Sequence, residues 1–167
     1  MSEPATPAPA SAPKTNRTFL VVVDETEEMR VALRYASRRA KATGGRVALL
    51  YVIDPSEFEH FMGVREIMRE EKRQEAEETI KKLADVIVED CGQIPVVYLR
   101  EGNRRDELLK ILDEEPGISI LVLGAGTGPE GPGPLISYIV GKASGKIHVP
   151  ITIVPGNLTQ EQLDAVT

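Results

Sequence analysis

Aromatic residues, cysteine and positive charge are all scarce in this sequence of 167 residues. It has no Trp, four Tyr and three Phe, and its formal net charge is -6 with a pI of about 5.1. Binding to nucleic acid needs a basic face for the phosphates and aromatic rings for base stacking, so this composition argues against a nucleic-acid partner. Cys91 is the only cysteine. A thiol that cannot form an internal disulfide indicates a reducing compartment, and we expect a cytoplasmic location.

Long apolar runs and clustered metal ligands are missing as well. No stretch reaches the length of a membrane span, and the N-terminus lacks the basic and apolar regions of a signal peptide, so we expect no membrane contact. The two histidines, His60 and His148, are far apart and accompany one cysteine, which indicates neither a metal site nor a Cys/His pair. Because no nucleophile with a neighbouring base is visible, we predict no catalytic residues.

The distribution of apolar residues divides the chain into three segments. Residues 1–16 are mostly Pro, Ala and Ser with almost nothing to bury, which predicts a disordered tail. Residues 17–156 suit one domain with a substantial core, since the chain is 41% hydrophobic and 28% charged. Residues 157–167 include Thr159 and Gln162 at the spacing of a capping box, which predicts a turn or a short helix.

The stretch from Leu121 to Pro155 is the most informative part of the chain. An apolar run ends at Gly124, and five glycines and two prolines then occur between Gly124 and Gly133. Such a backbone must turn, and its bare N–H groups suit an anion at a strand-to-helix junction. The alternative is that the loop is a mobile linker.

Strand and helix patterns alternate along the whole domain. Apolar runs typical of buried strands occupy residues 18–23, 46–53, 94–99, 118–123 and 150–154. Helical spacing predicts helices over residues 26–43, 64–91, 103–115 and 139–147. This order predicts an α/β fold, a single doubly wound, Rossmann-like open parallel five-stranded sheet with helices on both faces. Ligands of such sheets bind beyond the carboxyl ends of the strands, which favours Asp24, Val52 with Asp54, Gly102 and Gly124 onward.

Five motifs in this order resemble the universal stress protein family. They are VVVD at 21–24 followed by Thr26, LLYVID at 49–54, Gly102, LVLG at 121–124 and PITIV at 150–154. The resemblance covers nearly all of residues 18–155 and implies strand order 3-2-1-4-5 and a cytoplasmic role in stress response or signalling without efficient catalysis. It also implies homodimers paired through strand 150–154 and, for many members, binding of ATP with Mg and at most slow hydrolysis.

The nucleotide-binding members use a loop of pattern G-x2-G-x9-G-[S/T]. Counted back without gaps from Pro150, these four positions fall on Gly124, Thr127, Ser137 and Tyr138, so one glycine is retained. A shifted frame on Gly128, Gly131 and Gly141 restores the glycines but leaves too few residues before Pro150. In the ungapped frame, which we prefer, the resemblance assigns nucleotide binding to Asp24, Thr26, Val52, Gly124, Gly126, Thr127, Gly128, Ser137 and Tyr138.

Several functions stay open at this point. The first is a nucleotide-binding module in which ATP biases the glycine-rich loop and the surface shown to a partner. The second is a nucleotide-free dimeric interaction protein in which Tyr138 fills the phosphate position. An enzyme with unrecognised chemistry is a third. Gly126, Gly128 and Gly131 also match the dinucleotide pattern G-x-G-x-x-G, but they follow the fourth strand and no acidic residue ends a strand about twenty positions on.

The last apolar strand carries the dimer prediction. A strand at the edge of a sheet exposes unpaired backbone groups, and pairing with a second copy across a two-fold axis covers them. The C-terminal turn that begins at Thr159 is the alternative cover.

Overall fold

A computed structural model describes residues 17–167 of the chain, so the predicted disordered tail, residues 1–16, lies outside the described residues. Five parallel strands form one sheet of order β3-β2-β1-β4-β5. The strands are β1 (Thr18–Val22), β2 (Arg46–Ile53), β3 (Val96–Glu101), β4 (Ile118–Ala125) and β5 (Ile151–Pro155). The helices are α1 (Glu27–Thr43), α2 (Arg65–Cys91), α3 (Arg104–Glu114), α4 (Pro134–Gly141) and α5 (Gln160–Val166). The predicted doubly wound fold and its strand order are confirmed.

Helices cover both faces of the sheet because alternate strand residues point to opposite sides. On one face, Phe19 and Val21 of β1 pack in a buried cluster with Leu33 of α1 and Ile87 of α2. On the other face, Leu20 and Val22 belong to a second cluster that contains residues of α3 and α4. The near-continuous apolar runs of the strands are therefore explained by burial on both sides.

Two element boundaries differ from the sequence-based expectation. The helix expected over residues 139–147 begins at Pro134 and ends at Gly141, so that prediction was wrong. Proline suits the first turn of a helix, since its φ is already helical and its missing N–H would have no partner there. The third strand starts at Val96 and not at Ile94, which is 75% exposed; Pro95 between them has no N–H for a sheet ladder.

The C-terminal helix α5 packs on α1. Leu163 of α5 is buried, and Arg34 of α1 donates a hydrogen bond to Gln160 over 3.0 Å. Arg38 forms an ion pair with Asp164. Thr159 and Gln162 form a reciprocal capping box at the start of α5. Within residues 17–167, β5 is paired with β4 alone, and these polar contacts of α5 go to α1.

No helix in the described part of the chain combines the length and apolarity that a membrane crossing requires.

Candidate functional site

Three adjoining clefts lie at the carboxyl edge of the sheet, where β1 stands between β2 and β4. Chain connections leave this point in opposite directions, and doubly wound folds bind ligands there. The central cleft has a volume of about 550 Å³. It is lined by Val21, Val22, Asp24, Thr26, Glu28, Met29, Ala32, Arg104, Leu123, Gly124, Glu130, Gly131, Pro132, Gly133, Pro134, Leu135, Ile136 and Ser137.

The two flanking clefts share residues with the central one. The β2-side cleft, of about 290 Å³, is lined by Val23, Asp24, Glu25, Tyr51, Val52, Ile53, Glu57, Lys72, Glu75, Thr79 and Arg104. The loop cleft, of about 370 Å³, is lined by Glu27, Glu28, Gly126, Thr127, Gly128, Pro129, Glu130, Gly131 and Gly156. Asp24 and Arg104 stand at the border of the first two clefts, and Glu28 and Glu130 at the border of the central and loop clefts.

Asp24 and Thr26 form a linked cap at the start of α1. Asp24 Oδ1 accepts hydrogen bonds from the backbone N–H of Thr26 over 2.9 Å and from its hydroxyl over 2.5 Å. Thr26 Oγ1 in turn accepts from the N–H of Met29 over 3.2 Å, as an N-cap side chain does. The second oxygen of Asp24, Oδ2, takes part in none of the hydrogen bonds found among residues 17–167. Asp24 thus holds the helix start with one oxygen and offers the other to the clefts.

Three glycines enclose the first turn of α1 at Glu28. A Cβ at Gly124 would lie 2.2 Å from the backbone oxygen of Glu28, and one at Gly156 would lie 2.5 Å from its Cβ. A Cβ at Gly126 would lie 3.1 Å from Glu28 Oε1. These glycines therefore allow α1 to approach the ends of β4 and β5 closely. The presence of Gly124 is explained by packing without any ligand.

Two of the remaining loop glycines, Gly131 and Gly133, are explained by their backbone conformation, whereas neither conformation nor packing requires Gly128. Gly131 and Gly133 have φ values of 86° and 115°, a backbone region that side chains disfavour. A Cβ at Gly128 would meet nothing within 4 Å. The loop is also bonded internally, since the N–H of Gly126 donates to Pro132 over 3.1 Å. These contacts give the loop a defined shape above the central cleft.

The structure brings together most of the residues that the family resemblance assigned to nucleotide binding, but it distributes them over three clefts. Asp24, Thr26, Gly124 and Ser137 line the central cleft, and Val52 lines the β2-side cleft with Asp24. Gly126, Thr127 and Gly128 line the loop cleft.

Tyr138 is absent from the lining of all three clefts. Its ring lies 4.7 Å from the guanidinium of Arg105 on α3, and it packs against the buried cluster on that face. Successive helix residues differ in direction by about 100° because a turn holds about 3.6 residues, so Ser137 and Tyr138 point to different surroundings. The nucleotide-free hypothesis supposed that Tyr138 fills the phosphate position. In the structure, Tyr138 lies outside the central cleft.

The site residues assigned from the sequence did not include three charged residues that line the central cleft, Arg104, Glu28 and Glu130. Arg104 is the first residue of α3 and follows Asn103, which caps that helix by accepting from Arg105 and Asp106. The signal for Arg104 was its position just after Gly102, at the carboxyl end of a predicted strand. Glu28 is an ordinary first-turn acid in sequence, and only the packing of α1 against the loop brings it to the cleft.

Two ion pairs lie in the β2-side cleft, and both are formed by Lys72. Lys72 lies 3.4 Å from Glu57 and 3.7 Å from Glu75, and its hydrogen bond to Glu57 raises the pKa of Lys72 above its usual value. Burial, reinforced by the negative charges of Glu75 and Glu25, raises the pKa of Tyr51. Tyr51 is therefore a neutral hydroxyl at neutral pH, and Lys72 is already engaged by carboxylates.

The described residues offer no ready-made metal centre. Between residues 17 and 167, no three His, Cys, Asp or Glu side chains converge to hold a metal ion. These residues do not fit a resident Mg²⁺, so a magnesium ion at the site would have to arrive on the phosphates of a nucleotide.

The fold and the clefts define a class of protein, a doubly wound α/β domain whose ligand site lies at the switch point of its sheet. Within that class, the chain belongs to the universal stress protein family. The family model, described as "Universal stress protein family", matches residues 15–155. The resemblance drawn from the sequence motifs is thereby confirmed.

Solved structures of related proteins share the fold. Universal stress protein UspA from Lactobacillus plantarum has a TM-score of 0.68 at 18% identity, covering 83% of this chain and 97% of that chain. The universal stress protein from Archaeoglobus fulgidus in complex with dAMP has a TM-score of 0.57 at 17% identity, covering 84% and 98%. A universal stress protein in complex with cAMP has a TM-score of 0.51 at 16% identity, covering 84% and 98%. No curated protein matches the sequence significantly.

Proposed function

We propose that this protein is an adenine-nucleotide-binding module of the stress response. Its ligand is the magnesium complex of ATP, and it does not catalyse a reaction efficiently. The observation that carries the proposal is the central cleft, an open space at the switch point bordered by Asp24 and the glycine-rich loop. Family members bound to dAMP and to cAMP support an adenine nucleotide as the ligand class. The lone Cys91 agrees with action in the cytoplasm.

The β2-side cleft, the central cleft and the border between them suit different parts of such a ligand. Asp24 Oδ2 is available to accept hydrogen bonds from ribose hydroxyls at the border of two clefts. The β2-side cleft holds Val52 and the phenol of Tyr51, which offer an apolar wall and a polar group for the base. Ser137 and the backbone of the loop border the central cleft, where the phosphates would lie.

Calorimetric titration of the nucleotide-stripped protein with Mg-ATP and with AMP tests this proposal. We expect saturable binding that is lost in Ser137→Tyr, because the larger side chain would occupy the central cleft from an exposed helix position. Ser144→Tyr is the matched control, since Ser144 is also exposed but lies outside the central cleft. If the wild type gives neither heat nor a melting shift at millimolar ligand, the proposal is wrong. A ligand at about 100 times its dissociation constant would add about 2.7 kcal/mol to the free energy of unfolding.

A nucleotide-free interaction protein is the second candidate. The observation in its favour is the acidic lining of the loop cleft, which contains Glu27, Glu28 and Glu130 and no basic residue from the described range 17–167. Negative charge at that position opposes a phosphate chain. Failure of the titration would favour this function.

We also propose that the protein forms a homodimer through β5. The carbonyl of Pro150 and the N–H of Gly156 form hydrogen bonds with β4. Because alternate residues of a strand direct their backbone groups to opposite neighbours, the N–H and C=O groups of residues 151 and 153 point away from β4, toward the open edge of the sheet. Ile153 is 43% exposed beside that edge. Pairing with a second copy would satisfy these backbone groups and cover Ile153.

The variant Ile153→Lys should run as a monomer, because a lysine on an edge strand opposes edge-to-edge pairing. The mass at low protein concentration, measured by sedimentation velocity, gives the result, and circular dichroism checks the fold. Val166→Lys, which adds the same charge at a 55% exposed apolar position on α5, should leave the wild-type dimer unchanged. A dimeric Ile153→Lys variant would contradict pairing through β5.

A further inference from the structure

We propose that Arg104 binds the phosphate next to the ribose, and that the site selects a nucleotide with a single phosphate over a free triphosphate. The inference rests on the proposed nucleotide binding and deepens it, because it names the residue and the ligand class. ATP would then be accepted only as its magnesium complex, whose metal offsets part of the phosphate charge.

Arg104 is the cation available at this position. Among residues 17–167 it is the only Lys or Arg that lines the central cleft, and it also lines the β2-side cleft. None of the nine ion pairs formed among residues 17–167 involves Arg104. By contrast, Lys72, the other cation of the β2-side cleft, is paired with Glu57 and Glu75. A guanidinium presents a planar fork of donors that matches a phosphate.

The position of Arg104 between two clefts suggests which phosphate it contacts. Asp24 occupies the same border, where it suits a ribose. A group bound by Arg104 therefore lies close to the sugar, as the first phosphate of a nucleotide does. On the neighbouring residue, the Arg105 guanidinium stacks on the Tyr138 ring at 4.7 Å. The Arg105 side chain therefore lies against α4 and outside the three clefts.

Beyond the first phosphate, the surroundings become negative. The central cleft carries the carboxylates of Asp24, Glu28 and Glu130 against the single guanidinium of Arg104. The loop cleft, into which a longer phosphate chain would extend, carries Glu27, Glu28 and Glu130 and, in the part of the chain that the structure describes, no Lys or Arg. Like charges a few ångströms apart repel by roughly 4 kcal/mol at the effective dielectric constant near a protein surface. A second and third phosphate therefore meet repulsion, whereas one phosphate meets Arg104.

The test is a titration of the nucleotide-stripped full chain with adenosine, with AMP and with ATP, all in EDTA, and with Mg-ATP. The variants are Arg104→Gln, Arg104→Lys and Arg105→Gln. Arg104 is exposed, so its replacement should leave the fold intact, and a thermal melt of each variant checks this. Arg105→Gln is the matched control. It removes the same charge at the next residue of the chain, and the Arg105 side chain lines none of the three clefts.

We expect the wild type to bind AMP at least about tenfold more tightly than ATP in EDTA, with Mg²⁺ restoring part of the ATP affinity. Arg104→Gln should weaken AMP about tenfold to a hundredfold, the range for a hydrogen bond to a charged group, and leave adenosine unchanged. Arg104→Lys should recover part of the AMP affinity, and Arg105→Gln should behave as the wild type.

Two results would overturn the inference while leaving the nucleotide site in place. One is an equal AMP affinity for the wild type and Arg104→Gln, and the other is tighter binding of ATP than of AMP in EDTA. If the wild type binds none of the four ligands, the proposed function and this inference are both wrong. Adenosine binding thus separates the two proposals.

Discussion

Replacing Gly124 by alanine should destabilise the fold by about 3 kcal/mol, at the upper end of the range for overpacking. The added Cβ would lie 2.2 Å from the carbonyl oxygen of Glu28 and 2.4 Å from its carbonyl carbon. Both are backbone atoms of α1, so no side chain can rotate away. Either α1 or β4 must therefore move, although both elements contribute residues to the same buried cluster on one face of the sheet. Thermal unfolding should show a melting temperature lower by roughly 10 °C.

Gly117→Ala is the control for this experiment, because a Cβ at Gly117 would meet nothing within 4 Å. We expect that variant to unfold within a few degrees of the wild type. A Gly124→Ala protein as stable as the wild type would contradict the close packing of α1 against β4. A Gly124 variant is therefore unsuitable for testing nucleotide binding, because it could lose binding through unfolding as readily as through a lost phosphate contact.

Ile139→Ala should also cost about 3 kcal/mol, through lost apolar burial and the cavity that remains. Ile139 is fully buried in the cluster of β1, β4 and α3. It is one of only two buried residues on α4, a helix of eight residues, and the other is Ile136. The glycine-rich loop leads directly into this helix. We therefore expect weaker anchoring of the loop, measured as faster amide hydrogen exchange from Gly126 to Tyr138.

Val140→Ala provides the comparison on the same helix. Val140 is 55% exposed, so its truncation should change the free energy of unfolding by less than about 0.5 kcal/mol. Chemical denaturation of both variants gives the two values. Equal and small effects would mean that Ile139 does not hold α4 in place and that other contacts position the loop.

Much of the fold was predictable because its signals are local. The apolar runs around Val21, Leu49 and Val122 are buried on both faces, and such runs are typical of parallel strands. The strand order came from the resemblance to the family, because hydrophobic patterning alone does not say which strands are neighbours. The predicted helix started at Ile139, whereas α4 starts five residues earlier at Pro134, although proline in a first helical turn is common.

The site was only partly predictable. The rule that ligands bind at the carboxyl ends of strands selected Asp24, Val52 with Asp54, Gly102 and Gly124 onward. Asp24, Val52 and Gly124 line the clefts, whereas Asp54 and Gly102 line none of the three. The rule does not say why a residue is there. Gly124 was assigned to a nucleotide from its motif position, whereas its contact with Glu28 shows a packing requirement that exists without a ligand.

By itself, the sequence determined the class of fold, the family and the edge of the sheet at which to look for a ligand, because these depend on periodicity and on motifs carried by single segments. Only the tertiary structure decided which charges meet there. Glu28, Arg104 and Glu130 come from α1, α3 and the loop after β4, and they share one cleft because β1 lies between β2 and β4. The balance of three carboxylates against one guanidinium, on which the ligand preference depends, arises from packing between segments far apart in the chain.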